Sequence, residues 1–159
     1  MIKSSAPTRI DLAGGTLDIW PLNLFFDNAP TLNAAIDLYA TAELMPRKDK
    51  RIVLRSHDLE LEDSFSSLNV LPEKHPLELL TRTVKFYAPK SGLEISTNCQ
   101  APQGSGIGGS SALSIALHGA LNQFIGIRYN KQEMIEIARN IETQVIGVPA
   151  GCQDYFPAM

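Results

Sequence analysis

The stretch that most limits how this chain can fold is residues 92–121, in which an apolar run, a glycine-rich loop and a long helical pattern follow one another. Residues 93–99 are rich in apolar and β-branched side chains and predict a buried strand. Four glycines then fall within residues 104–109. The segment that follows these glycines carries apolar residues around most of a helical circumference, which predicts a helix at the centre of the core.

The glycine loop has the composition of an anion-binding site. Glycine lacks a Cβ, so successive backbone N–H groups can turn together toward one negatively charged ligand. Ser110 and Ser111 open the predicted helix, where the first N–H groups have no partner within the helix and the helix dipole favours negative charge. These features predict a phosphate-binding loop and indicate a nucleotide-dependent phosphotransferase. The alternative is a flexible Gly/Ser connection, but a segment fixed between a buried strand and a core helix is not typical of a linker.

Two other glycine motifs do not fit the surrounding sequence. Residues 104–109 match G-x-G-x-x-G, but a Rossmann unit needs a second strand that ends in an acidic residue about 20 positions later. That position falls at Leu121–Phe124, inside the apolar helical pattern. A Walker A loop needs a lysine after its last glycine, and the sequence has none between Lys90 and Lys131. Both motifs are therefore excluded.

Composition and charge favour a globular protein without a nucleic-acid or membrane partner. The 159 residues are 44% hydrophobic and 19% charged, which fits one folded domain. The net charge is −3 and no dense run of Lys and Arg occurs, so we expect no nucleic-acid partner. No apolar run approaches the ~18 residues of a membrane span and no signal-peptide core is present, so we expect a cytoplasmic protein. Cys99 and Cys152 are expected to be reduced, and no Cys/His cluster suggests zinc.

Four further strands are predicted, and the short connections of the last two favour antiparallel pairing. Their runs of apolar or alternating residues are Arg9–Ala13, Thr31–Leu44, Ile52–Arg55 and Leu59–Phe65. The irregular residues 16–30 between the first two strands contain aromatic side chains, which we expect to form a lid or to flank the core.

The helical patterns predict three helices. The first begins at Pro76 and runs to about Ala88. The second follows the glycine loop and ends at Gly126. The third runs over residues 131–145, and the Asn130/Glu133 spacing at its start is a capping-box pattern.

Three motifs occur in a fixed order along the chain. They are Ala6–Gly15 (APTRIDLAGG), Pro102–Ala112 (PQGSGIGGSSA), and Glu142 with Gly147–Asp154 (GVPAGCQD). In turn they resemble the N-terminal motif, the ATP-phosphate motif and the sugar-kinase Glu…Gly-x-Pro-x-Gly-x-x-Asp pattern of the GHMP kinases, the family of galactokinase, homoserine kinase, mevalonate kinase and phosphomevalonate kinase. The resemblance implies an α+β fold of the ribosomal protein S5 domain 2-like type, with an antiparallel-rich sheet and helices on one side. It also implies that residues 1–159 are the N-terminal, ATP-binding domain, because the family's third motif, in a C-terminal domain, is missing from this sequence.

The resemblance assigns roles around an ATP and Mg²⁺ site. Asp154 would be the catalytic base for a sugar hydroxyl, and Arg9 would neutralise phosphate or lower the pKa of Asp154. Ser110 and Glu142 would hold Mg²⁺ through oxygen ligands, with Gly109 in place of the family's first serine. The ATP phosphates would bind the loop and the helix start, namely Pro102, Gly104, Ser105, Gly106, Ile107, Gly108, Gly109, Ser110 and Ser111.

Substrate binding is assigned to Asp18, Gly15 and Gly151. The Gly-Gly-x-x-Asp spacing that ends at Asp18 is similar to fucokinase-type and heptose-phosphate kinase-type sequences. Galactokinases carry a Glu-His pair where this sequence has Gly15 and Thr16. The resemblance therefore implies a sugar other than galactose.

Structural roles are the alternatives for these polar residues. Asp154 and Asp18 are also typical turn residues, and Glu142 would fit as a solvated charge near a helix end. Arg9 would equally form a structural ion pair with Asp11 or Asp18. His118, within the predicted core helix, is interpreted as a hydrogen-bonded histidine in the core or at its edge, in preference to a ligand-binding residue.

The function implied by the resemblance is ATP- and Mg²⁺-dependent phosphorylation of a hydroxyl, favouring the anomeric one, on a sugar or sugar phosphate. A C-terminal half or a second copy of the chain is the expected protein partner. The alternative is a regulatory module that binds a nucleotide or sugar without catalysis, or an inactive fragment of such a kinase. An RNA-binding protein of the same fold is disfavoured by the acidic charge balance.

Overall fold

The computed structural model describes residues 1–26 and 30–159 as one mixed sheet with helices packed against it. The strands are β1 (Ile2–Ala13), β2 (Leu32–Pro46), β3 (Ile52–Ser56), β4 (Leu61–Phe65) and β5 (Leu93–Cys99). The helices are α1 (Glu78–Tyr87), α2 (Gly109–Phe124), α3 (Lys131–Ile146) and α4 (Tyr155–Ala158), with short 3₁₀ turns at Leu22–Leu24 and Leu68–Val70. The α+β class expected from the sequence is confirmed.

The sheet places the strand before the glycine loop at its centre. The strand order is β1-β2-β5-β3-β4. Neighbouring strands are antiparallel except β3 and β5, which run parallel and are connected through β4 and α1. The predicted antiparallel pairing of β3 with β4 is confirmed. Because β5 has a partner on each side, the loop that follows it starts from a fixed point.

The core lies between the sheet and α2. Alternate residues of β2 and β5 are fully buried, namely Ala40, Ala42, Leu44, Leu93 and Ile95. Helix α2 is buried around most of its circumference, as its sequence predicted, with Ala112, Ala116, Leu117, Ala120 and Leu121 each 0% exposed. Burial of each such leucine stabilises the fold by about 1.5–3 kcal/mol. The glycine loop is therefore held at both ends by buried elements.

Strand β1 is longer than its sequence predicted. The predicted strand began at Arg9, whereas β1 begins at Ile2 and pairs with β2 along its whole length. The polar residues and Pro7 at the start of β1 interrupt the apolar alternation that would predict a strand. Pro7 is tolerated there because β1 is an edge strand. The register shifts between Pro7 and Thr8, and both Thr8 and Arg9 are buried. Such a bulge redirects the side chains that follow it.

Helix boundaries agree with the predictions within a few residues, with one omission. Helix α1 begins at Glu78, and the capping box of Asn130 and Glu133 at the start of α3 is confirmed. The short helix α4 was not predicted, because the sequence offers only four residues for it.

The described part of the connection between β1 and β2 contributes no large side chain to the core. Trp20, Phe25 and Phe26 are 60%, 74% and 50% exposed, so the expectation that they flank the core is not met. Residues 27–29, which belong to the same expected lid, lie outside the described residues. Their role as a lid stays a prediction.

Candidate active site

The glycine-rich loop between β5 and α2 turns through left-handed backbone conformations. Gly106 and Gly108 have φ angles of +71° and +72°, a region that strains residues with a side chain. Gly108 directly precedes α2, and none of the described side chains caps this helix. The first-turn N–H groups of a core helix therefore stay available to an anionic ligand.

The loop forms one wall of a cleft of about 520 Å³, here called the loop cleft. Most of the predicted phosphate-binding residues line it, namely Pro102, Gly104, Ser105, Gly106, Gly108, Gly109 and Ser110. Ile107 and Ser111 do not line it, and contact Arg9 and Glu142 instead. The cleft continues past the loop to Asp58, Leu59 and Gln100, which the sequence analysis did not assign.

Arg9 connects the first strand, the glycine loop and the C-terminal loop. Its Nε and Nη2 atoms donate to Oδ1 of Asp154 at 2.8 and 2.6 Å, and its Nη1 donates to the carbonyl of Gly106 at 2.7 Å. Its backbone N–H donates to the carbonyl of Ile107 at 3.0 Å. Arg9 is 8% exposed, so these are interactions of a buried guanidinium. The predicted alternatives, an ion pair with Asp11 or Asp18, are not what the structure shows.

Asp154 lines the loop cleft together with the glycine loop, and only one of its carboxylate oxygens is hydrogen-bonded to a described residue. Oδ1 is held by Arg9, whereas Oδ2 accepts no hydrogen bond from the described residues. Burial raises the pKa of Asp154, and the hydrogen bond and charge of Arg9 oppose that increase. The predicted effect of Arg9 has the expected direction, but desolvation is larger and the net pKa is raised.

Ser110 and Glu142 lie together beside the start of α2. The Ser110 hydroxyl donates to Oε1 of Glu142 at 2.6 Å, and the Ser111 hydroxyl lies 3.4 Å from Oε2. The buried Tyr155 hydroxyl also donates to Oε2. The interpretation of Glu142 as a solvated charge is therefore wrong, because α2, α3 and α4 all meet at its carboxylate.

Tyr155 is a site residue that the sequence analysis missed. Burial strongly raises the pKa of Tyr155, so the phenol stays protonated and remains a donor to Glu142. The only signal in the sequence is its position directly after Asp154.

Asp18 fixes the loop that carries Asp154. Its Oδ2 accepts hydrogen bonds from the backbone N–H groups of Cys152 and Gln153 at 2.5 and 2.9 Å. A Cβ at Gly151 would lie 2.6 Å from either carboxylate oxygen, so this position requires glycine for close approach. Asp18 also lines a second cleft of about 330 Å³, here called the Asp18 cleft.

Further hydrogen bonds attach the same loop to the sheet. Gln153 donates from Nε2 to Oδ2 of Asp11 at 3.3 Å, and Asn33 donates to the Gln153 carbonyl at 3.0 Å. Gly15 lines neither cleft, and a Cβ there would collide with the carboxylate of Asp11. Gly15 and Gly151 thus allow close packing around the proposed site.

Three other expectations concern residues away from the clefts. His118 is fully buried with Nδ1 2.9 Å from the Tyr87 hydroxyl, as expected for a core histidine. Its Nε2 is buried without a hydrogen-bond partner among the described residues, so the ring is only partly satisfied. Cys99 and Cys152 are free thiols. Within residues 1–26 and 30–159, no helix combines the length and apolar content that a membrane crossing requires.

Comparison with known proteins connects this geometry to a family. The model of the GHMP kinases N terminal domain matches residues 77–159. The chain is 31% identical over 164 positions to the D-glycero-alpha-D-manno-heptose 7-phosphate kinase of Campylobacter jejuni, covering 99% of this chain and 48% of that protein. It is 30% identical over 183 positions to the L-fucokinase/L-fucose-1-P guanylyltransferase of Bacteroides fragilis, covering 98% of this chain and 19% of that protein.

Solved structures of kinases from the same family share the fold of this chain. A D-glycero-D-manno-heptose 1-phosphate kinase from Bacteroides thetaiotaomicron superimposes with a TM-score of 0.86 at 28% identity, covering 98% of this chain and 52% of that one. The mevalonate kinase of Methanococcus jannaschii shares the fold with a TM-score of 0.81 at 18% identity. The chain spans about half the length of the heptose-phosphate kinases it matches. The sheet, the glycine loop and these matches together show that the chain belongs to the GHMP kinase family, with the fold of its N-terminal domain.

Proposed function

We propose that this chain is the N-terminal, ATP-binding domain of a Mg²⁺-dependent kinase that phosphorylates a hydroxyl of a sugar or sugar phosphate. The observation that carries the proposal is the position of Asp154, whose free Oδ2 and the glycine loop face the same cleft. The proposed phosphate site and the proposed proton acceptor would thereby share one cavity. The relatives named heptose-phosphate kinase and fucokinase support a sugar or sugar phosphate as the acceptor.

The loop cleft offers distinct surfaces for the two ends of a nucleotide. The phosphates would bind the backbone N–H groups of the glycine loop and of the first turn of α2. The base would lie toward Asp58, Leu59 and Gln100, at the other end of the same cleft. This arrangement leaves the terminal phosphate beside Asp154.

Ser110 and Glu142 fit a Mg²⁺ site. Their oxygens are 2.6 Å apart, close to the roughly 3 Å between neighbouring ligands of an octahedral Mg²⁺. The described residues contain no cluster of three or more His, Cys, Asp and Glu, so phosphate oxygens and water would complete the ligand set. The ion would supply positive charge next to the transferred group.

Asp154 would accept the proton of the attacking hydroxyl at Oδ2, with the anomeric hydroxyl as the expected nucleophile. Because burial raises its pKa, the carboxylate is a stronger proton acceptor than an exposed aspartate. Arg9 would keep the carboxylate in place through Oδ1, while Asp18 fixes the loop on which it sits. Positioning of this kind is the main contribution of a protein to phosphoryl transfer.

A complete site would include residues from outside this chain. The heptose-phosphate relatives are about twice as long, and large apolar side chains are exposed near the end of β1 and in the β1–β2 connection. We propose that a C-terminal half covers this surface, with a second copy of the chain as the alternative. The free thiols are compatible with the cytoplasmic location expected from the sequence.

The proposal is tested by measuring ATP binding and ATP consumption with a panel of sugars and sugar phosphates. Asp154→Asn should lower turnover by about 100-fold or more, because general-base catalysis typically contributes at least that factor. The matched control is Asp37→Asn, which changes an exposed aspartate that lines neither cleft. Turnover that survives Asp154→Asn would remove Asp154 as the base. Tight ATP binding without turnover of any acceptor would favour a non-catalytic binding module.

A further inference from the structure

The Asp18 cleft is separate from the loop cleft and borders the C-terminal loop that carries Asp154. Asp18, Trp20 and Asn23 line one part of it, and Arg139, Thr143 and Ala150 line another. It shares no lining residue with the loop cleft. Because Asp18 binds the N–H groups of Cys152 and Gln153, the cleft is only a short stretch of backbone away from Asp154.

Arg139 stands out among the basic residues of the described part of the chain. Five other lysines and arginines there are half-buried or buried, and each has a carboxylate within 4.0 Å: Arg9, Arg47, Arg55, Arg82 and Lys85. Arg139 is half-buried, yet no described carboxylate lies within that distance and its guanidinium makes no hydrogen bond to a described residue. An incompletely solvated guanidinium is costly without a partner, so its position in a cleft points to an anionic ligand.

The chemistry of the cleft favours a sugar that already carries a phosphate. A guanidinium presents a planar fork of donors that matches a phosphate group in a bidentate fashion. Asp18 sits at the end nearest Asp154, where its negative charge is partly offset by two backbone N–H donors. The exposed indole of Trp20 adds an apolar lining to the same cleft.

We propose that Arg139 binds the non-reacting phosphate of the acceptor, and therefore that the substrate is a sugar phosphate and not a free sugar. This proposal rests on the proposed kinase function, and it selects between the two acceptor classes left open there. The phosphate would lie in the Asp18 cleft, while the reacting hydroxyl reaches past the loop to Asp154. The nucleotide uses the loop cleft, so Arg139 is not needed for its phosphates.

Binding measurements on the 159-residue chain test the proposal directly. Hexose 6-phosphates, a heptose 7-phosphate and the corresponding free sugars would be titrated by calorimetry into wild-type protein, Arg139→Gln, Arg139→Lys and Arg128→Gln. Arg128 is an exposed arginine that lines neither cleft, so its variant is the matched control for loss of one charge. In the wild type, at least one phosphorylated sugar should bind tenfold or more tightly than its free counterpart.

The preference for a phosphorylated sugar should depend on the bidentate guanidinium of Arg139. Arg139→Gln should abolish the preference for the phosphorylated sugar, Arg139→Lys should retain part of it, and Arg128→Gln should retain all of it. In the wild type, the side-chain Nε resonance of Arg139 should shift on addition of the sugar phosphate and not of the free sugar. The proposal is overturned if no phosphorylated sugar is preferred, if the preference survives Arg139→Gln, or if that variant weakens ATP binding instead.

Turnover separates this proposal from the kinase function on which it rests. Transfer to free sugars that is unaffected by Arg139→Gln would overturn the phosphate subsite and leave the kinase function standing. Binding of a sugar phosphate through Arg139 without any ATP consumption would support the subsite and count against catalysis by this chain.

Discussion

At the scale of single residues, two opposing influences set the chemistry of Asp154. Burial withdraws water from the carboxylate and raises its pKa, while Arg9 stabilises the ionised form through two hydrogen bonds to Oδ1. The net result is a raised pKa in a carboxylate whose second oxygen accepts no hydrogen bond within the described part of the chain. A proton acceptor benefits from both properties, because a higher pKa strengthens the base and the free oxygen can reach the proton.

His118 gives a prediction about stability and pH. Burial lowers the pKa of His118 from 6.5 to about 3, so the ring stays neutral in the folded protein over most of the acid range. In the unfolded chain the ring is protonated below about pH 6.5. The unfolded state therefore binds one more proton in this window. The free energy of unfolding should decrease as the pH falls from 6.5 toward 3, by up to about 1.4 kcal/mol per pH unit from this group.

Denaturant unfolding at a series of pH values measures this dependence. His118→Gln should show a shallower decrease between pH 6.5 and pH 4, since it removes the group that takes up the proton. The same slope in the wild type and in His118→Gln would contradict the assignment to His118.

The residues that form the site differ in how far the sequence could predict them. Asp154 and Arg9 belong to motifs with fixed spacing, so their resemblance to a family brought both into the site hypothesis. Tyr155 and Asn33 belong to no such pattern, and their roles arise from hydrogen bonds to residues on other elements. A contact of that kind depends on how α4 and β2 pack, which single-sequence periodicity does not encode.

At the scale of elements, the join between the glycine loop and α2 is the most constrained position. Gly108 has a φ of +72°, and a Cβ there would lie 3.2 Å from Cγ of Arg9. Gly108→Ala should therefore lower the free energy of unfolding by about 1–2 kcal/mol through left-handed strain alone. Displacement of Arg9 should add to this loss and weaken ATP binding.

Gly147→Ala is the matched control for this effect. Gly147 also has a φ of +72°, at the C-terminal end of α3, but a Cβ there would meet no described atom within 4 Å. Both variants should be destabilised by backbone strain. Only Gly108→Ala should also bind ATP more weakly, as measured by calorimetry. Equal stability and equal affinity in the two variants would show that contact with Arg9 does not matter.

Element boundaries were predictable where hydrophobic periodicity and capping coincide. The capping box fixed the start of α3, and β5 was found with the bounds that the structure has. The first seven residues of β1 were not predicted, because an edge strand with polar residues and Pro7 carries little apolar alternation. Its strand conformation follows from pairing with β2, a long-range interaction.

At the scale of the whole molecule, one end of the first hairpin carries an apolar surface. Leu12, Trp20, Leu24, Phe25 and Leu32 are each 57% exposed or more. Leu12 precedes Ala13, which pairs with Leu32, so two of these side chains lie on adjacent strands. A protein with such a surface uncovered should associate with other apolar surfaces.

The double variant Leu12→Ser/Leu32→Ser should therefore reduce self-association of the 159-residue chain. Sedimentation velocity over a range of concentrations should show dimers or larger species for the wild type and a dissociation constant raised at least tenfold for the variant. Val70→Ser is the control, since Val70 is 54% exposed but lies elsewhere, in a turn after β4. Wild-type protein that stays monomeric at all concentrations would contradict the prediction.

The architecture of the whole domain could be predicted only through the family resemblance. Periodicity indicated strands, helices and an antiparallel tendency, but not the order β1-β2-β5-β3-β4 or the parallel pairing of β3 with β5. These features depend on which strands meet across long separations. The comparisons confirm the expected domain fold, and they also show that relatives contain about as much chain again.

The link from Arg9 to Asp154 has a consequence for how the protein is made. The two residues are separated by 145 positions, so Arg9 is synthesised long before Asp154. Closing so long a loop carries a larger entropic cost than forming local contacts. A nascent chain on the ribosome therefore cannot complete this cavity until almost all of the 159 residues have been synthesised.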